Sequence, residues 1–404
     1  MKMKDLQISE RGLEMPSSPI RKLAPLAYAA EDKGVRIYRL NIGQPDLPTP
    51  QKALDSLKQI DRSTLEYSPS QGFRSLRLKL VEYYSRFNIQ LSPDDIIITN
   101  GGSEAVLFAF MSTLNPGDEI IVSEPAYANY MAFAVSSGAV IRTVTTTIDE
   151  GFCLPKVEKF EELINEKTRA ILICNPNNPT GYLYNQNEML QIRDIVKKHN
   201  LYLFSDEVYR EFIYTGSPYI SAMHLEGIEN NVILIDSVSK RYSECGIRIG
   251  ALVTRNEKVR QTVMKFCQAR LSPPLIGQII AEASIEGTAD YSRQVYDEYL
   301  ERRKVLIDGV NKIPGCYTPI PMGAFYTVAK LPVDDTEKFC AWCLTDFCYE
   351  NETIMMAPAA GFYSTPGMGK NEVRLAYVLN KKDLKRALFL LEKALEQYKQ
   401  LNND

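Results

Sequence analysis

The sequence predicts an α/β fold in which helices cover a largely parallel sheet. Between about residues 51 and 290, short runs of aliphatic and β-branched residues alternate with helical patterns. This alternation is typical of parallel sheets, because a crossover helix must return the chain to the start of each new strand. After about residue 290, long helical patterns surround isolated strands, which predicts a second, smaller α+β domain.

The elements follow from hydrophobic periodicity and from residues that end helices. Short apolar runs predict buried strands at 95–99, 119–122, 170–174, 201–204, 231–236 and 249–253. Apolar residues at helical spacing predict helices at 51–59, 73–87, 103–114, 188–199 and 291–310, and a last helix from residue 383. Asn115-Pro-Gly-Asp ends the helix at 103–114, because Pro and Gly interrupt helical structure. Two later strands are predicted near 325–328 and 373–378.

The chain is predicted to divide into two domains. Its 404 residues exceed the roughly 150 residues of an average domain. We expect a large domain at 51–290, which contains the parallel sheet. The Pro-rich segment 1–50 predicts an extended arm with one short helix, and we expect this arm to join residues 291–404 in the small domain.

Composition excludes several classes of function. The formal net charge is −3, so nothing indicates a nucleic-acid partner. The longest apolar stretch, Ala105 to Met111, is far shorter than the roughly 20 residues of a membrane span, and the first residues lack an apolar signal core. We therefore expect no membrane insertion and a cytoplasmic location, in which the eight cysteines stay reduced.

Motif patterns narrow the chemistry further. Two histidines cannot form a three-His metal site, so we expect no metal. The sequence lacks G-x-x-x-x-G-K-[ST], G-x-G-x-x-G and G-x-S-x-G, which disfavours P-loop, dinucleotide-binding and serine-hydrolase chemistry. The functional residues must therefore be found by their position on the predicted sheet.

Polar segments follow four of the predicted strands. In chain order these segments are Asn100-Gly-Gly-Ser-Glu104, Asn175-Pro-Asn-Asn-Pro-Thr-Gly181, Ser205-Asp-Glu-Val-Tyr209 and Ser237-Val-Ser-Lys240, with Arg248 eight residues after the lysine. Each segment alone also occurs in ordinary turns and helix caps. Ligands of open α/β sheets bind beyond the carboxyl ends of the strands, so we expect these side chains to meet in one site.

Together these residue types suit pyridoxal 5′-phosphate. The amine of Lys240 can condense with the aldehyde, while Arg248, serine hydroxyls and the N–H groups of a glycine turn can bind the phosphate. A buried carboxylate such as Asp206 can keep the pyridine nitrogen protonated, which makes the ring an electron sink. The residues therefore predict an enzyme that uses this cofactor.

The sequence resembles the class I aminotransferases of the aspartate aminotransferase superfamily, which share fold type I of the pyridoxal-phosphate enzymes. Seven segments carry the resemblance in the family's order: Asn41-Ile-Gly-Gln-Pro-Asp46, Tyr67-Ser-Pro-Ser-Gln-Gly72, Thr99-Asn-Gly-Gly-Ser103, Asn175-Pro-Asn-Asn-Pro-Thr-Gly181, Ser205-Asp-Glu-Val-Tyr209, Ser237-Val-Ser-Lys240 with Gly246-Ile-Arg-Ile-Gly250, and Val373-Arg-Leu. The resemblance implies a large domain with a mainly parallel seven-stranded sheet, a smaller α+β domain, and pyridoxal 5′-phosphate as cofactor.

The resemblance also implies roles for individual residues. Lys240 would form the Schiff base and shuttle the proton, Asp206 would pair with the pyridinium nitrogen, and Tyr209 and Asn178 would hydrogen-bond the phenolic oxygen. Tyr127 would stack on the ring. The phosphate would be bound by Gly102, Ser103, Glu104, Ser237, Ser239 and Arg248.

Substrate and partner roles follow from the same resemblance. Arg374 would bind the substrate α-carboxylate, helped by Asn178 and the backbone at Gly43. Tyr67 would reach the phosphate of a neighbouring subunit, which implies a homodimer with shared active sites. A dicarboxylate substrate needs a second cation, for which Arg270 is the candidate; the alternative is that Arg270 makes a structural pair at the dimer interface.

The expected reaction is a ping-pong transfer of an amino group between an L-amino acid and a 2-oxo acid, and the expected substrates are aspartate and 2-oxoglutarate. Alternatives within the fold are an alanine, aromatic or broad-specificity aminotransferase, and a lyase such as a C–S β-lyase or a cyclopropane-forming synthase. A cofactor-binding regulator without turnover is a further alternative. Arg241, Glu244 and Ile247 are unusual for the family, so they obscure the subfamily.

Overall fold

The computed structural model describes residues 6–216, 218–286 and 289–401. The helices are α1 (Glu10–Glu14), α2 (Ala24–Glu31), α3 (Gln51–Lys58), α4 (Arg74–Ser85), α5 (Gly101–Thr113), α6 (Asn129–Ser137), α7 (Val157–Glu161), α8 (Gln186–His199), α9 (Val238–Arg241), α10 (Glu257–Arg270), α11 (Leu275–Ile285), α12 (Ala289–Val310), α13 (Thr336–Thr345) and α14 (Lys381–Leu401). The strands are β1 (Arg36–Arg39), β2 (Ile96–Thr99), β3 (Glu119–Glu124), β4 (Val140–Thr145), β5 (Thr168–Cys174), β6 (Tyr202–Asp206), β7 (Val232–Ser237), β8 (Gly250–Val253), β9 (Tyr326–Lys330), β10 (Glu352–Met355), β11 (Ala357–Pro358) and β12 (Glu372–Ala376).

Seven strands form the central sheet, in the order β2-β8-β7-β6-β5-β3-β4. All neighbouring strands are parallel except β8, which runs antiparallel to both β2 and β7. This arrangement confirms the predicted mainly parallel sheet covered by helices. Strand β4 was not predicted, because its alternating exposure at the sheet edge gives no continuous apolar run.

Side chains on the two faces of the sheet belong to different cores. In β2, Ile97 packs into one apolar cluster, whereas Ile96 and Ile98 pack into another. Successive residues of a strand point to opposite faces, so helices on both sides bury the whole strand. The first cluster continues into the C-terminal region through residues such as Tyr326 and Leu375. One core therefore holds the central sheet and the C-terminal strands together.

The C-terminal region contains two smaller sheets. Strands β11, β12 and β9 form an antiparallel sheet in that order. Strand β1 pairs in parallel with β10, with Arg36 opposite Glu352, and so attaches the N-terminal arm to the C-terminal region. This pairing supports the predicted small domain of 1–50 with 291–404, although its exact boundaries stay a prediction.

The longest described helices are amphipathic. Helix α12 has 22 residues and α14 has 21, and both carry charged residues along one face. The buried residues of α14, which include Leu384 and Leu391, recur on the opposite face. Consistent with this pattern, no helix among the described residues is long and apolar enough to cross a membrane.

Candidate active site

The strand register brings the predicted polar segments to one edge of the sheet. Gly250, at the start of β8, lies opposite Thr99 at the end of β2 and opposite Ser237 at the end of β7. At the end of β5, Cys174 lies opposite Asp206 of β6. The antiparallel strand β8 therefore begins where its neighbours end, and the loops after β2, β5, β6 and β7 meet there.

The turn between β2 and α5 forms a cup for an anion. Gly101 has φ +74°, and a Cβ atom at this position would lie 2.4 Å from Nη2 of Arg248. The Arg248 guanidinium donates hydrogen bonds to the carbonyl oxygens of Asn100 (3.4 Å) and Cys245 (3.2 Å). Helix α5 begins at Gly101 and directs its free N–H groups toward the same side, including those of Gly102 and Ser103. A helix N-terminus beside a guanidinium is a favourable phosphate site.

The two serines before the lysine shape the adjoining turn. Ser237 is the N-cap of α9, and its Oγ accepts from the backbone N–H of Ser239 at 3.1 Å. The same hydroxyl group contacts Oγ of Ser239 at 2.8 Å and the carbonyl oxygen of Ile249 at 2.9 Å. These bonds fix the turn between β7 and Lys240 against the chain that leads to β8.

Asp206 is a buried carboxylate without a cation partner. Its side chain accepts hydrogen bonds from the Tyr130 hydroxyl (2.6 Å) and from the backbone N–H of Val208 (3.3 Å). No Lys, Arg or His among the described residues lies within 4 Å of it. Burial raises the pKa of Asp206 to about 6, against the lowering effect of these two hydrogen bonds. The environment therefore penalises the charged form unless a positive group binds beside it.

Sequence reasoning missed Tyr130. It follows Tyr127 by three residues in the segment at the start of α6, and the two rings pack edge to face with centroids 5.4 Å apart. Tyr127 precedes Ala128, the N-cap of α6, and Tyr130 lies in the first turn of the helix, so the turn into α6 brings the two rings together. With Tyr127 predicted to stack on the cofactor, that spacing was the available signal for a second aromatic in the site.

Lys240 lies at the end of the short helix α9. Its Nζ donates to the carbonyl oxygen of Gly43 at 2.9 Å and lies 3.7 Å from Sγ of Cys245. No carboxylate of the described residues pairs with this amine. The amine is therefore free of an ion pair with the described residues and can act as a nucleophile toward a bound carbonyl group.

Arg374 is a buried guanidinium without an anion. It is 1% exposed and donates to Oδ1 of Asn178 (3.1 Å) and to the carbonyl oxygen of Asn41, while its Nε has no hydrogen-bond partner. Its Cζ lies 4.6 Å from the ring centroid of Tyr326 and 5.1 Å from that of Phe362. Burial lowers the pKa of Arg374. No carboxylate of the described residues lies within 4 Å of it.

Tyr326 is a second site residue that sequence reasoning missed. Its hydroxyl lies 3.1 Å from the Tyr209 hydroxyl and 3.4 Å from the carbonyl oxygen of Gly43. A Cβ atom at Gly43 would lie 1.6 Å from this hydroxyl, so the tyrosine occupies the space that any side chain there would need. Asn178 donates to the Tyr209 hydroxyl at 3.5 Å and also binds Arg374. Asn178 therefore joins Arg374 and Tyr209 in one hydrogen-bond network.

Two predicted aromatic residues differ in their surroundings. Tyr127 accepts a hydrogen bond from Nδ2 of Asn129 at 2.8 Å, and burial raises its pKa to about 12. Tyr67 is 76% exposed, so most of its ring is free of contact with its own chain. That exposure agrees with a role toward a second subunit, which stays a prediction.

Arg270 is engaged within its own chain. Its guanidinium pairs with Oε2 of Glu104 at 2.9 Å and donates to the carbonyl oxygen of Ser70 at 3.1 Å. The same Glu104 oxygen accepts from the backbone N–H of Asn100 at 2.8 Å. This geometry favours a structural role, in which Arg270 pairs within its own chain; a location at a dimer interface stays a prediction. Arg270 neutralises a carboxylate that would otherwise repel an anion at the start of α5.

The unusual residues near Lys240 lie behind the site. Arg241 pairs with Asp236 at 2.6 Å, and Arg210 pairs with the same carboxylate at 3.3 Å. Burial opposes ionisation of Asp236, but the two guanidinium groups outweigh it and lower its pKa to about 2. By contrast, burial raises the pKa of Glu244 to about 8, and its side chain binds the hydroxyl of Ser284. Arg241 and Glu244 therefore anchor the loop between Lys240 and Arg248.

The donor set fits pyridoxal 5′-phosphate. The cup at α5 with Arg248 suits its phosphate, the amine of Lys240 suits its aldehyde, and the cation-free carboxylate of Asp206 suits a protonated ring nitrogen. Arg374 is left with neutral partners only among the described residues. The described residues contain no group of three or more His, Cys, Asp or Glu side chains that could hold a metal ion.

Comparisons with known proteins agree with this geometry. The family model described as aminotransferase class I and II matches residues 35–389. Aspartate aminotransferase of Pyrococcus horikoshii is 31% identical over 401 residues, which cover 96% of this chain and 97% of the relative. The solved aspartate aminotransferase of Thermotoga maritima has a TM-score of 0.88 at 29% identity, and covers 96% of this chain and 100% of its own. Alanine aminotransferase of Pyrococcus furiosus also gives 0.88 at 29% identity, with 97% and 100% covered.

The match extends from β1 to α14 and includes the whole central sheet. It also includes Lys240, Asp206, Arg248 and Arg374, the residues around which the site is built. The chain belongs to the family of class I and II aminotransferases, and within it to the pyridoxal-phosphate-dependent class I enzymes of fold type I.

Proposed function

We propose that this aminotransferase moves an amino group between an L-amino acid and a 2-oxo acid in a ping-pong reaction. One observation carries the proposal: Asp206 and Arg374 are buried opposite charges in one site, and they do not pair with each other. Unpaired buried charges are costly unless a ligand compensates them. A ligand with a positive ring nitrogen at Asp206 and a carboxylate at Arg374 compensates both.

In this proposal, Lys240 would hold the cofactor through its amine and would carry the proton removed from the substrate α-carbon. Asp206 would keep the ring nitrogen protonated, and Tyr209 and Asn178 would donate to the phenolic oxygen. When bound, pyridoxal phosphate supplies an aldehyde that receives the amino group and a ring that accepts the electron pair left by proton removal.

The remaining residues bind and orient. The phosphate would be held by the N–H groups of Gly102, Ser103 and Glu104, the hydroxyls of Ser237 and Ser239, and the Arg248 guanidinium. Tyr127 would pack on the ring. Arg374 holds the substrate α-carboxylate with a two-pronged set of hydrogen bonds, together with Asn178 and the backbone at Gly43. Asn178 positions the guanidinium for this contact, because it already accepts from Nη1 at 3.1 Å.

The substrate proposal is aspartate with 2-oxoglutarate. Named aspartate aminotransferases among the relatives support it, but an alanine aminotransferase of equal structural similarity favours a monocarboxylic substrate as the alternative. Aromatic or broad specificity and a C–S β-lyase reaction on the same residues are the further alternatives. Release of pyruvate and ammonia from an S-substituted cysteine would identify the lyase.

We further propose a homodimer in which Tyr67 completes the phosphate site of the neighbouring subunit, with a large domain at 51–290 and a small domain at 1–50 with 291–404. The exposure of Tyr67 supports the first point. The pairing of β1 with β10 supports the second. A cytoplasmic location also stays a proposal.

Replacing Lys240 with Ala should reduce transamination by several orders of magnitude, because the covalent anchor and the proton carrier are lost together. The rate of conversion of the bound cofactor to its amine form by an amino acid measures this. Lys258→Ala is the matched control, since Lys258 is an exposed lysine of α10. If borohydride reduction of the wild type attaches the cofactor to a different lysine, the assignment is wrong.

Replacing Arg374 with Lys should lower kcat/KM for amino acids by at least about 10-fold, because lysine keeps the charge but loses the two-pronged geometry. Amines that lack a carboxylate should be affected much less. Rates with an amino acid and with its decarboxylated amine measure the difference. Equal losses for both would indicate a general folding defect in place of a lost carboxylate contact.

Replacing Asp206 with Asn should stabilise the cofactor-free protein above pH 6. A pKa raised from 3.8 to about 6 means that folding costs about 3 kcal/mol in the ionised form. Between about pH 4 and pH 6 the folded wild type binds more protons than the unfolded chain, so its stability falls as pH rises through this window. The advantage of Asp206→Asn should grow across the same window and then remain constant.

Urea unfolding of both cofactor-free proteins from pH 4 to pH 8 measures this effect. The same variant should bind the cofactor but react slowly with amino acids, because the ring nitrogen loses its anionic partner. A wild type that gains stability relative to Asp206→Asn as pH rises would contradict the proposed environment of Asp206. Wild-type reaction rates in the variant would contradict its role.

A further inference from the structure

The thiol of Cys245 lies beside the amine of Lys240. Nζ of Lys240 donates toward Sγ of Cys245 at 3.7 Å, and the thiol in turn donates to the carbonyl oxygen of Ser239 at 3.3 Å. Both side chains are half-buried, so a small molecule can reach them. An amine and a thiol are both nucleophiles, and they form a bond with each other only when the sulfur is first oxidised.

The loop between the two residues fixes this contact. The chain reverses at Ser243, which has φ +54°, and the backbone N–H of Glu244 returns to the carbonyl oxygen of Ser239 at 3.1 Å. Contacts from other elements hold the reversal. Thr49 donates to the carbonyl oxygen of Ser243 at 3.0 Å, and Tyr291 donates to its hydroxyl group at 3.2 Å. The fold of the loop therefore keeps the sulfur near the amine.

Lys240 has no ionic partner among the described residues that would compete for its amine. Its other contact is the carbonyl oxygen of Gly43, which lies 2.9 Å from Nζ. A lysine side chain is a flexible four-carbon stem, so small rotations about its bonds can bring the amine onto the sulfur. The thiol of Cys245 is therefore the reactive neighbour of this amine.

The other cysteines differ from Cys245 in exposure. Four of them are buried, and burial raises the pKa of each thiol: Cys174, Cys267, Cys340 and Cys343. Burial keeps such thiols protonated and shields them from oxidants. Cys348 is exposed and lies between α13 and β10, so it offers a control for oxidation at an accessible thiol elsewhere in the chain.

We propose that Cys245 and Lys240 form a redox-sensitive pair, in which an S–N bond between the two side chains blocks the amine reversibly. A hydroperoxide transfers one oxygen atom to the thiol, which becomes a sulfenic acid, and the peroxide leaves as water or an alcohol. The amine then attacks the sulfur. An S–N bond replaces the S–O bond, and the leaving hydroxide takes one amine proton to form water. Two thiols of a reductant restore the Cys245 thiol and the Lys240 amine and become one disulfide.

The consequence for the enzyme rests on the proposed function, in which Lys240 holds the cofactor. The amine is occupied while the cofactor is attached to it, and it is free while the bound cofactor carries the amino group. An oxidant should therefore act on the enzyme after it has taken an amino group and before a 2-oxo acid removes that group. The pair makes turnover sensitive to peroxide when the 2-oxo acid is scarce.

The test treats full-length holoenzyme, loaded with pyridoxamine phosphate, with hydrogen peroxide. The wild type should lose most of its transaminase activity and regain it after dithiothreitol, because an S–N bond is reduced by thiols whereas sulfinic and sulfonic acids are not. Activity is expressed relative to the untreated sample of each variant. Cys348→Ser, the matched control, should behave as the wild type, and Cys245→Ser should show no loss that dithiothreitol reverses.

Mass spectrometry of the treated proteins, digested without reductant, gives a readout that does not depend on turnover. Trypsin should release the peptide 211–241 joined to the peptide 242–248, because the modified Lys240 resists cleavage. The joined peptides should be lighter than the sum of the two by two hydrogen atoms. They should form in the wild type and in Cys348→Ser and be absent from Cys245→Ser.

Detection of Cys245 only as an oxygen acid of sulfur, or joined to another cysteine, would overturn the inference. An equal reversible loss of activity in Cys245→Ser and the wild type would also overturn it. Holoenzyme loaded with pyridoxal phosphate should form little of the joined peptides, because the cofactor then occupies Lys240. If both loaded forms give the joined peptides equally, the redox-sensitive pair stands and the proposed role of Lys240 fails.

Discussion

The site depends on two buried opposite charges that are kept apart. Asp206 and Arg374 could nearly cancel their burial costs by pairing, yet Asp206 is bound by Tyr130 and Val208, and Arg374 by Asn41 and Asn178. Neutral partners orient each charge without satisfying it. The folded chain therefore carries a destabilising electrostatic cost, which the proposed binding of the cofactor at Asp206 and of the substrate at Arg374 would remove.

A second network of buried charges, in which every charge is paired, lies next to Asp206 and Arg374. Directly behind the site, Asp236 is bound by Arg210 and Arg241 and by the hydroxyl of Tyr84. All four side chains are buried, so these pairs are shielded from solvent and geometrically fixed. Asp236 directly precedes the Ser237 turn that leads to Lys240. The ion pairs of Asp236 thus fix one side of the Ser237 turn, and Asp206 and Arg374, which have no ionic partner among the described residues, lie on the other side.

The sequence predicted six of the seven strands of the central sheet and the polar residues at their carboxyl ends, because both follow from local patterns. Asp206, Lys240 and Arg248 lie directly after strands or within one short loop of them, so strand order alone suggested that they meet. Tyr326 and the pairing of β1 with β10 could not be predicted in this way, since each depends on segments about 300 residues apart in the chain. The contact of Tyr326 with Gly43 requires the tertiary fold, and nothing local in either segment indicates it.

Sequence spacing also fails to identify which arginine could bind a second carboxylate of the substrate, because this too depends on the tertiary fold. Arg270 lies near the position at which relatives were expected to bind a second carboxylate, but spacing does not tell whether a guanidinium already has a partner. Glu104 binds the backbone N–H of Asn100 at the start of α5, where a negative charge is favoured by the helix dipole but opposes a bound phosphate. Arg270 resolves this conflict by neutralising Glu104. Whether a guanidinium near the proposed phosphate site is still unpaired is therefore a property of the folded chain as a whole, and the spacing of residues in the sequence does not show it.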